Sequence, residues 1–287
     1  MTPSKPAKRK TAAPKTDKIF AQARAIHDRV LVLDSHIDFE PEDLTGERNY
    51  TQRIETQFNL PNMIDGGLDG LFFVIYVGQT KEAQNSEAFK AAGYQRAYKA
   101  AVEKFDAVRR FTSEIAPEQI ELAFSADDIR RIHAHGKKAA LMGVENGYPL
   151  GEDLPRVKEF YDRGARYISL THNGHNQLGD SHTGERDGWK WHGVSPLGKQ
   201  VIGEMNRLGI MVDVSHASKE AMLKTAALSK ADRVIQIPML GFVQSLNVSV
   251  ATAVVLWEII KQKKESHRKF SLPSKDQKNL QDSFIHR

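Results

Sequence analysis

Short apolar runs recur along the chain, each ending in polar residues and each followed by a longer stretch of helical spacing. The runs are Val30–Ile37, Leu71–Val77, Lys138–Gly143, Arg166–Asn173 and Ile210–His216. They are rich in β-branched and aromatic residues, apolar on both faces and too short for capped helices, which predicts buried strands. Between them, helical spacing predicts helices over 19–29, 86–110, 125–135, 154–163, 195–208 and 218–229. Ser86 and Ser125 stand where N-caps are wanted. Ser195-Pro196 places a cap before a proline at the first helical position, and Gly164 and Gly209 follow two predicted C-termini. Stretches 40–53 and 57–67, with Pro41, Gly46, Pro61 and Gly66-Gly67, read as loops, as does the Gly-, Asn- and His-rich stretch 174–192. Strand alternating with helix at a regular beat predicts an α/β fold with a parallel sheet.

The ligand-type residues fall at the C-terminal ends of the predicted strands: His36 and Asp38, Glu145, His172, and His216. Parallel α/β folds build their sites at that end. Side chains alternate along a strand, so His36 and Asp38 share a face, and an imidazole beside a carboxylate is half of a metal site. A lone His-x-Asp is more simply a satisfied polar pair, but four strand ends that each carry a donor favour metal binding.

Composition narrows this picture. The 287 residues suffice for one large α/β domain or two ordinary ones. No cysteine is present, which excludes disulfides, zinc–thiolate sites and cysteine nucleophiles. No apolar run approaches the length of a membrane span. The basic N-terminal stretch lacks the pattern of a signal peptide, so a cytoplasmic location is expected. The net charge of +5 is unevenly spread. Residues 1–18 hold six Lys/Arg against one Asp, and 261–287 hold eight against three acids, so the middle of the chain is acidic. Both ends read as disordered and solvated, which makes nucleic-acid binding an unneeded explanation for their charge.

Four motifs together resemble the membrane (renal) dipeptidase family of zinc peptidases: Asp34-Ser35-His36-Ile37-Asp38, Gly143-Val144-Glu145-Asn146-Gly147, Arg166–Asn173, and the block Gly193–His216. Their order and spacing agree with that family over residues 30–231. The resemblance implies a TIM-like (β/α)8 barrel, present here as about five βα units. It implies that His36 and Asp38 bind a first zinc, that Glu145 bridges two zincs and that His216 binds the second. By the same resemblance His172 contacts the substrate or its tetrahedral intermediate. The implied substrates are dipeptides and small amides, and a homodimer is an admissible assembly. A bridging carboxylate offsets the repulsion of two cations, and the water between them becomes a nucleophile near neutral pH.

Beyond about residue 231 the dipeptidase pattern stops: no histidine closes the run Val234–Ile237, and the only later ones, His267 and His286, lie in the polar tail. Ile237-Pro238-Met239 and Ser245-Leu246-Asn247-Val248-Ser249 instead resemble the last motif of SpoU-type RNA 2′-O-ribose methyltransferases, which use S-adenosylmethionine. That resemblance implies that Ile237 and Leu246 line a methyl-donor pocket. The expected organisation is a basic leader over 1–18, a partial metallo-dipeptidase barrel over 19–231, a foreign strand–helix unit over 232–262 and a polar tail over 263–287. Three functions remain open at this point: a zinc dipeptidase with one well-held metal at best and impaired turnover, an RNA methyltransferase fragment, and an inactive fusion. Should two metals bind, His175 or His182 of the long loop are the sequence's candidates for the extra ligand.

Overall fold

The computed structural model describes residues 15–79 and 87–229. Expectations for 232–262, including Ile237 and Leu246, and for the tail lie outside the described residues, as does the Ser86 cap. Among the described residues, no helix is long and apolar enough to cross a membrane.

Six parallel strands form one sheet: β1 (Leu33–Ile37), β2 (Gly70–Tyr76), β3 (Ile120–Leu122), β4 (Lys138–Glu145), β5 (Ala165–Ser169) and β6 (Met211–Asp213). Their order is β1-β2-β4-β5-β6. The short β3 pairs with Lys138–Ala140, and β5 pairs with Met142–Val144 farther along β4. The result is a parallel half-barrel, as the alternating pattern predicts. Among the described residues eight α-helices accompany it: α1 (Lys15–His27), α2 (Pro41–Thr45), α3 (Leu60–Gly66), α4 (Glu87–Arg110), α5 (Ala126–Ala134), α6 (Pro155–Arg163), α7 (Pro196–Leu208) and α8 (Lys219–Leu228).

Strand β4 shows why its sequence is a continuous apolar run. Ala140, Met142 and Val144 join the main core, whereas Ala139 and Leu141 on the opposite face pack with Ile129 and Ile132 of α5. Both faces are covered, so no polar alternation is required. Phe73 of β2 is fully buried. Its ring meets Phe39, Phe58 and Phe111 edge-on, with centroids 5.3, 5.8 and 6.3 Å away. These contacts fasten the segment after β1 and the stretch 56–60 to the end of α4, which matters because Phe39 follows Asp38.

The caps expected at Ser125 and Ser195 are in place, and Ser218 adds one that the sequence reading did not name. The hydroxyls of Ser125, Ser195 and Ser218 each accept a backbone N–H from the first turn of α5, α7 and α8. Gly164 and Gly209 adopt left-handed backbone conformations just past α6 and α7.

Four expectations are corrected. The first strand is shorter than 30–37 and not buried on both faces: Val30, Leu31 and Leu33 are 54, 40 and 45% exposed. Its place at the sheet edge leaves one side without a neighbouring strand among the described residues. Stretches 40–53 and 57–67 are not loops throughout, since they contain α2 and α3. Helix α2 starts at Pro41 behind a capping box of Glu40 and Asp43, and the side chain of Asn59 caps α3. Helix α1 begins at Lys15 rather than Ile19. Strand β3 had no counterpart in the sequence pattern, because three residues cannot display a period.

Candidate metal centre

The polar residues gather where the strands end. His36 lies on β1 and Asp38 just past it; Glu145 is the last residue of β4. His172 and His216 each sit three residues beyond the strands predicted to carry them, because β5 stops at Ser169 and β6 at Asp213. His216 has a left-handed backbone, φ 61°, and so does Asn146, φ 73°. Such a conformation costs of order 1–3 kcal/mol in a non-glycine residue and persists where the surroundings enforce it. Asn146 is enforced visibly: its N–H donates to Ser169 Oγ at 2.8 Å, its amide donates to Val77 O at 3.0 Å, and it accepts from Asn176 Nδ2 at 3.1 Å.

Glu145 is the centre of the arrangement and is buried. Its two oxygens face different partners. Oε2 lies 3.8 Å from His36 Nε2, which is itself 3.6 Å from Asp38 Oδ2. Oε1 lies 3.1 Å from His216 Nε2 and 3.9 Å from His172 Nε2. Two donor sets result, His36/Asp38/Glu145 and Glu145/His172/His216, and within each set the donor atoms lie within 4.8 Å of one another. Neutral imidazole and carboxylate at this spacing are the donors zinc takes. The two sets therefore fit a divalent ion each, with Glu145 common to both.

The electrostatics follow from the same contacts. The Asp38 carboxylate, 3.6 Å away, raises the pKa of His36 above its ordinary value despite partial burial, and the imidazole in turn lowers that of Asp38. Burial keeps His172 below the usual imidazole range, and the neighbouring His216 pushes it the same way. Lys104 of α4, almost fully buried, donates to Phe39 O at 2.6 Å and pairs with Glu40 Oε2 at 3.1 Å. It thereby holds the backbone directly after Asp38.

Below the carboxylate, Tyr167 of β5 closes the floor. Its hydroxyl donates to Ser35 O of β1 at 3.3 Å, and its ring lies 5.2 Å from Phe72. The ring crosses β4 at Gly143, where a β-carbon would overlap it. Gly143→Ala is therefore expected to destabilise the protein by about 1–3 kcal/mol, because the buried ring must move; a lowered denaturation midpoint checks this. Burial among carboxylates pushes the Tyr167 phenol far up. Tyr76, at the end of β2, packs against His172 with ring centroids 4.7 Å apart and planes tilted by 58°, and its pKa is also raised by burial, so it stays protonated at neutral pH.

The long stretch after β5 forms a wall for this site. Asp180 is completely buried and accepts backbone N–H bonds from Lys190, Trp191 and Gly193 at 2.8–3.2 Å. The adjoining backbone meets the segment around His216: His182 N–H donates to His216 O and Ser218 N–H to Asp180 O, both at 2.9 Å. His175 and His182 belong to neither donor set. The ring of His175 is occupied elsewhere, with Nδ1 accepting from Ser181 N–H at 3.0 Å and Nε2 donating to Gly188 O at 2.7 Å.

Residues 20–235 match the family described as Membrane dipeptidase (Peptidase family M19). The chain belongs to this family. A second, short match covers residues 221–257 and is to the SpoU rRNA Methylase family. Among curated relatives of this dipeptidase-family chain, Dipeptidase tcpJ of Claviceps purpurea is 30% identical over 205 residues, 71% of this chain and 46% of that protein. Dipeptidase 3 of Mus musculus is 33% identical over 186 residues, 64% of this chain and 34% of that protein. The chain thus spans between a third and a half of the length of these relatives. The crystal structure of the probable dipeptidase PvdM from Pseudomonas aeruginosa superposes with a TM-score of 0.66 at 28% identity, over 75% of this chain and 54% of that one. A Rhodobacter sphaeroides metallo peptidase, liganded with a phosphinate mimic of the dipeptide L-Ala-D-Ala, shares the fold. Its TM-score is 0.59 at 24% identity, over 70% of this chain and 63% of that one.

The sequence pattern singled out His36, Asp38, Glu145, His172 and His216, and the fold brings all five together. It passed over Tyr76, Lys104, Tyr167 and Asp180. Only position could have marked them: Tyr76 and Tyr167 lie in predicted strands, and Asp180 is one polar residue among many in its loop.

Proposed function

We propose that the Glu145 cluster is a zinc centre that hydrolyses the amide bond of dipeptides or similarly small amides. The observation that carries this reading is the division of the Glu145 carboxylate, one oxygen facing His36 and the other facing His172 and His216. His36, Asp38 and Glu145 would hold one ion, and Glu145 with His216 a second. Bound there, zinc supplies the Lewis acidity that activates water and polarises a carbonyl.

The chain's own groups complete the site. Glu145 fixes its centre from a rigid strand end, and the Tyr167 floor seals the barrel side against water. Tyr76 offers a protonated hydroxyl beside His172, suited to donating to a substrate carbonyl or carboxylate. Site residues on strand ends are held more tightly than residues on free loops.

Turnover is proposed to be low. The dipeptidase match ends at residue 235, and the sequence after it follows a different family. Chimeric organisation with a seam between residues 221 and 235 accounts for both matches. Methyl transfer, with Ile237 and Leu246 at a S-adenosylmethionine pocket, rests on the shorter match alone.

The test is hydrolysis of an unblocked dipeptide by metal-stripped protein, with and without added zinc. Slow, zinc-dependent release of amino acids is expected. Hydrolysis that zinc does not change would overturn the reading, and turnover equal to that of a full-length relative assayed alongside would overturn the claim of impairment.

A further inference from the structure

We propose that His172 is a metal ligand in this chain, completing a second zinc position with Glu145 and His216. The inference rests on the metal-centre reading above and changes what that reading assigns to His172. Resemblance casts this imidazole as a substrate contact; its placement here is that of a donor.

Four observations point the same way. His172 Nε2 and His216 Nε2 converge on one carboxylate oxygen, Glu145 Oε1, at 3.9 and 3.1 Å. The three donor atoms lie within 4.8 Å of one another, so one ion can touch all three with small adjustments. The two rings are tilted, with centroids 4.3 Å apart, so neither blocks the other's nitrogen. Tyr76, its ring centroid 4.7 Å away and tilted by 58°, limits the freedom of the His172 ring to turn away.

The chemistry of the two sets also differs. One carboxylate and two imidazoles is a frequent protein ligand set for catalytic zinc, leaving a coordination position open. His36, Asp38 and Glu145 offer one imidazole and two carboxylates, a harder set that tolerates manganese as well as zinc. Among the described residues, the second position without His172 keeps two protein donors, too few to hold zinc firmly. With it the position has three, and no ligand from His175 or His182 is required.

The experiment is calorimetric titration of the full-length, metal-stripped protein with zinc, repeated with cobalt while recording its visible absorption. Wild type is expected to take two ions. His172→Phe, which keeps a ring against Tyr76, is expected to take one, with the second affinity reduced by at least about 100-fold, beyond what loss of an outer-shell partner causes. The cobalt band of the second ion should disappear with it. His172→Gln repeats the measurement with a polar side chain, and thermal melts of the metal-free proteins confirm folding. Two ions at undiminished affinity in both variants would overturn the assignment and leave the metal centre standing. No ion in wild type would overturn the metal-centre reading itself.

Discussion

Glu145→Gln is expected to abolish metal binding at both positions while leaving the metal-free fold intact. Each donor set contains Glu145, and each uses a different oxygen of it. Glutamine keeps the shape but replaces one oxygen with a hydrogen-bond donor and removes the charge that offsets two cations. Apparent zinc affinity should fall by more than the 10–100-fold that loss of an outer-shell partner costs, roughly speaking, and hydrolysis should fall with it. Thermal unfolding separates this from a folding defect. Zinc at about 100 times its dissociation constant stabilises a binding protein by about 2.7 kcal/mol. Zinc should therefore raise the Tm of wild type and not that of the variant, while the two metal-free proteins melt alike. A variant stabilised by zinc as much as wild type would show that the ion sits elsewhere.

Asp180→Ala is expected to be the most destabilising single change in the wall of the site. Asp180 is fully buried, and its carboxylate gathers N–H groups from Lys190, Trp191 and Gly193. Hydrogen bonds to a charged group contribute about 1.5–3 kcal/mol each, and alanine would leave these donors buried without a partner. A loss of about 3–6 kcal/mol follows. Asp180→Asn, which retains an acceptor, should lose less. The damage should reach the metal site, because the backbone at Asp180 and His182 bonds the segment that holds His216 in its left-handed conformation. Denaturant unfolding measures the first effect. A loss below about 1 kcal/mol in the alanine variant would contradict the account, since that is less than one charged hydrogen bond contributes.

Much of this architecture was legible in the sequence because it rests on local rules. The apolar runs at β2 and β4 are strands buried on both faces, and Ser125 and Ser195 cap the helices they precede. Position at a strand end also singled out Glu145 and the four other donors. What escaped depends on pairing or on distance in space. Strand β3 is three residues long and is defined by its neighbour rather than by its own pattern. Exposure of Val30, Leu31 and Leu33 follows from the edge position of β1, which no local rule announces. Helices α2 and α3 are only five and seven residues long, and their prolines read as turn residues although each stands in a first helical turn. Which oxygen of Glu145 each imidazole faces is a fact of side-chain placement, so the place of His172 beside Glu145 and His216 became visible only in the fold.

The central claim is that the strand ends build a divalent-metal centre around Glu145. Zinc content of the full chain, reconstituted and then dialysed, tests it most directly. The account predicts two zinc ions retained per wild-type chain, one in His172→Phe, and none in Glu145→Gln. Wild-type protein that retains no zinc, or retains as much as Glu145→Gln, would contradict it.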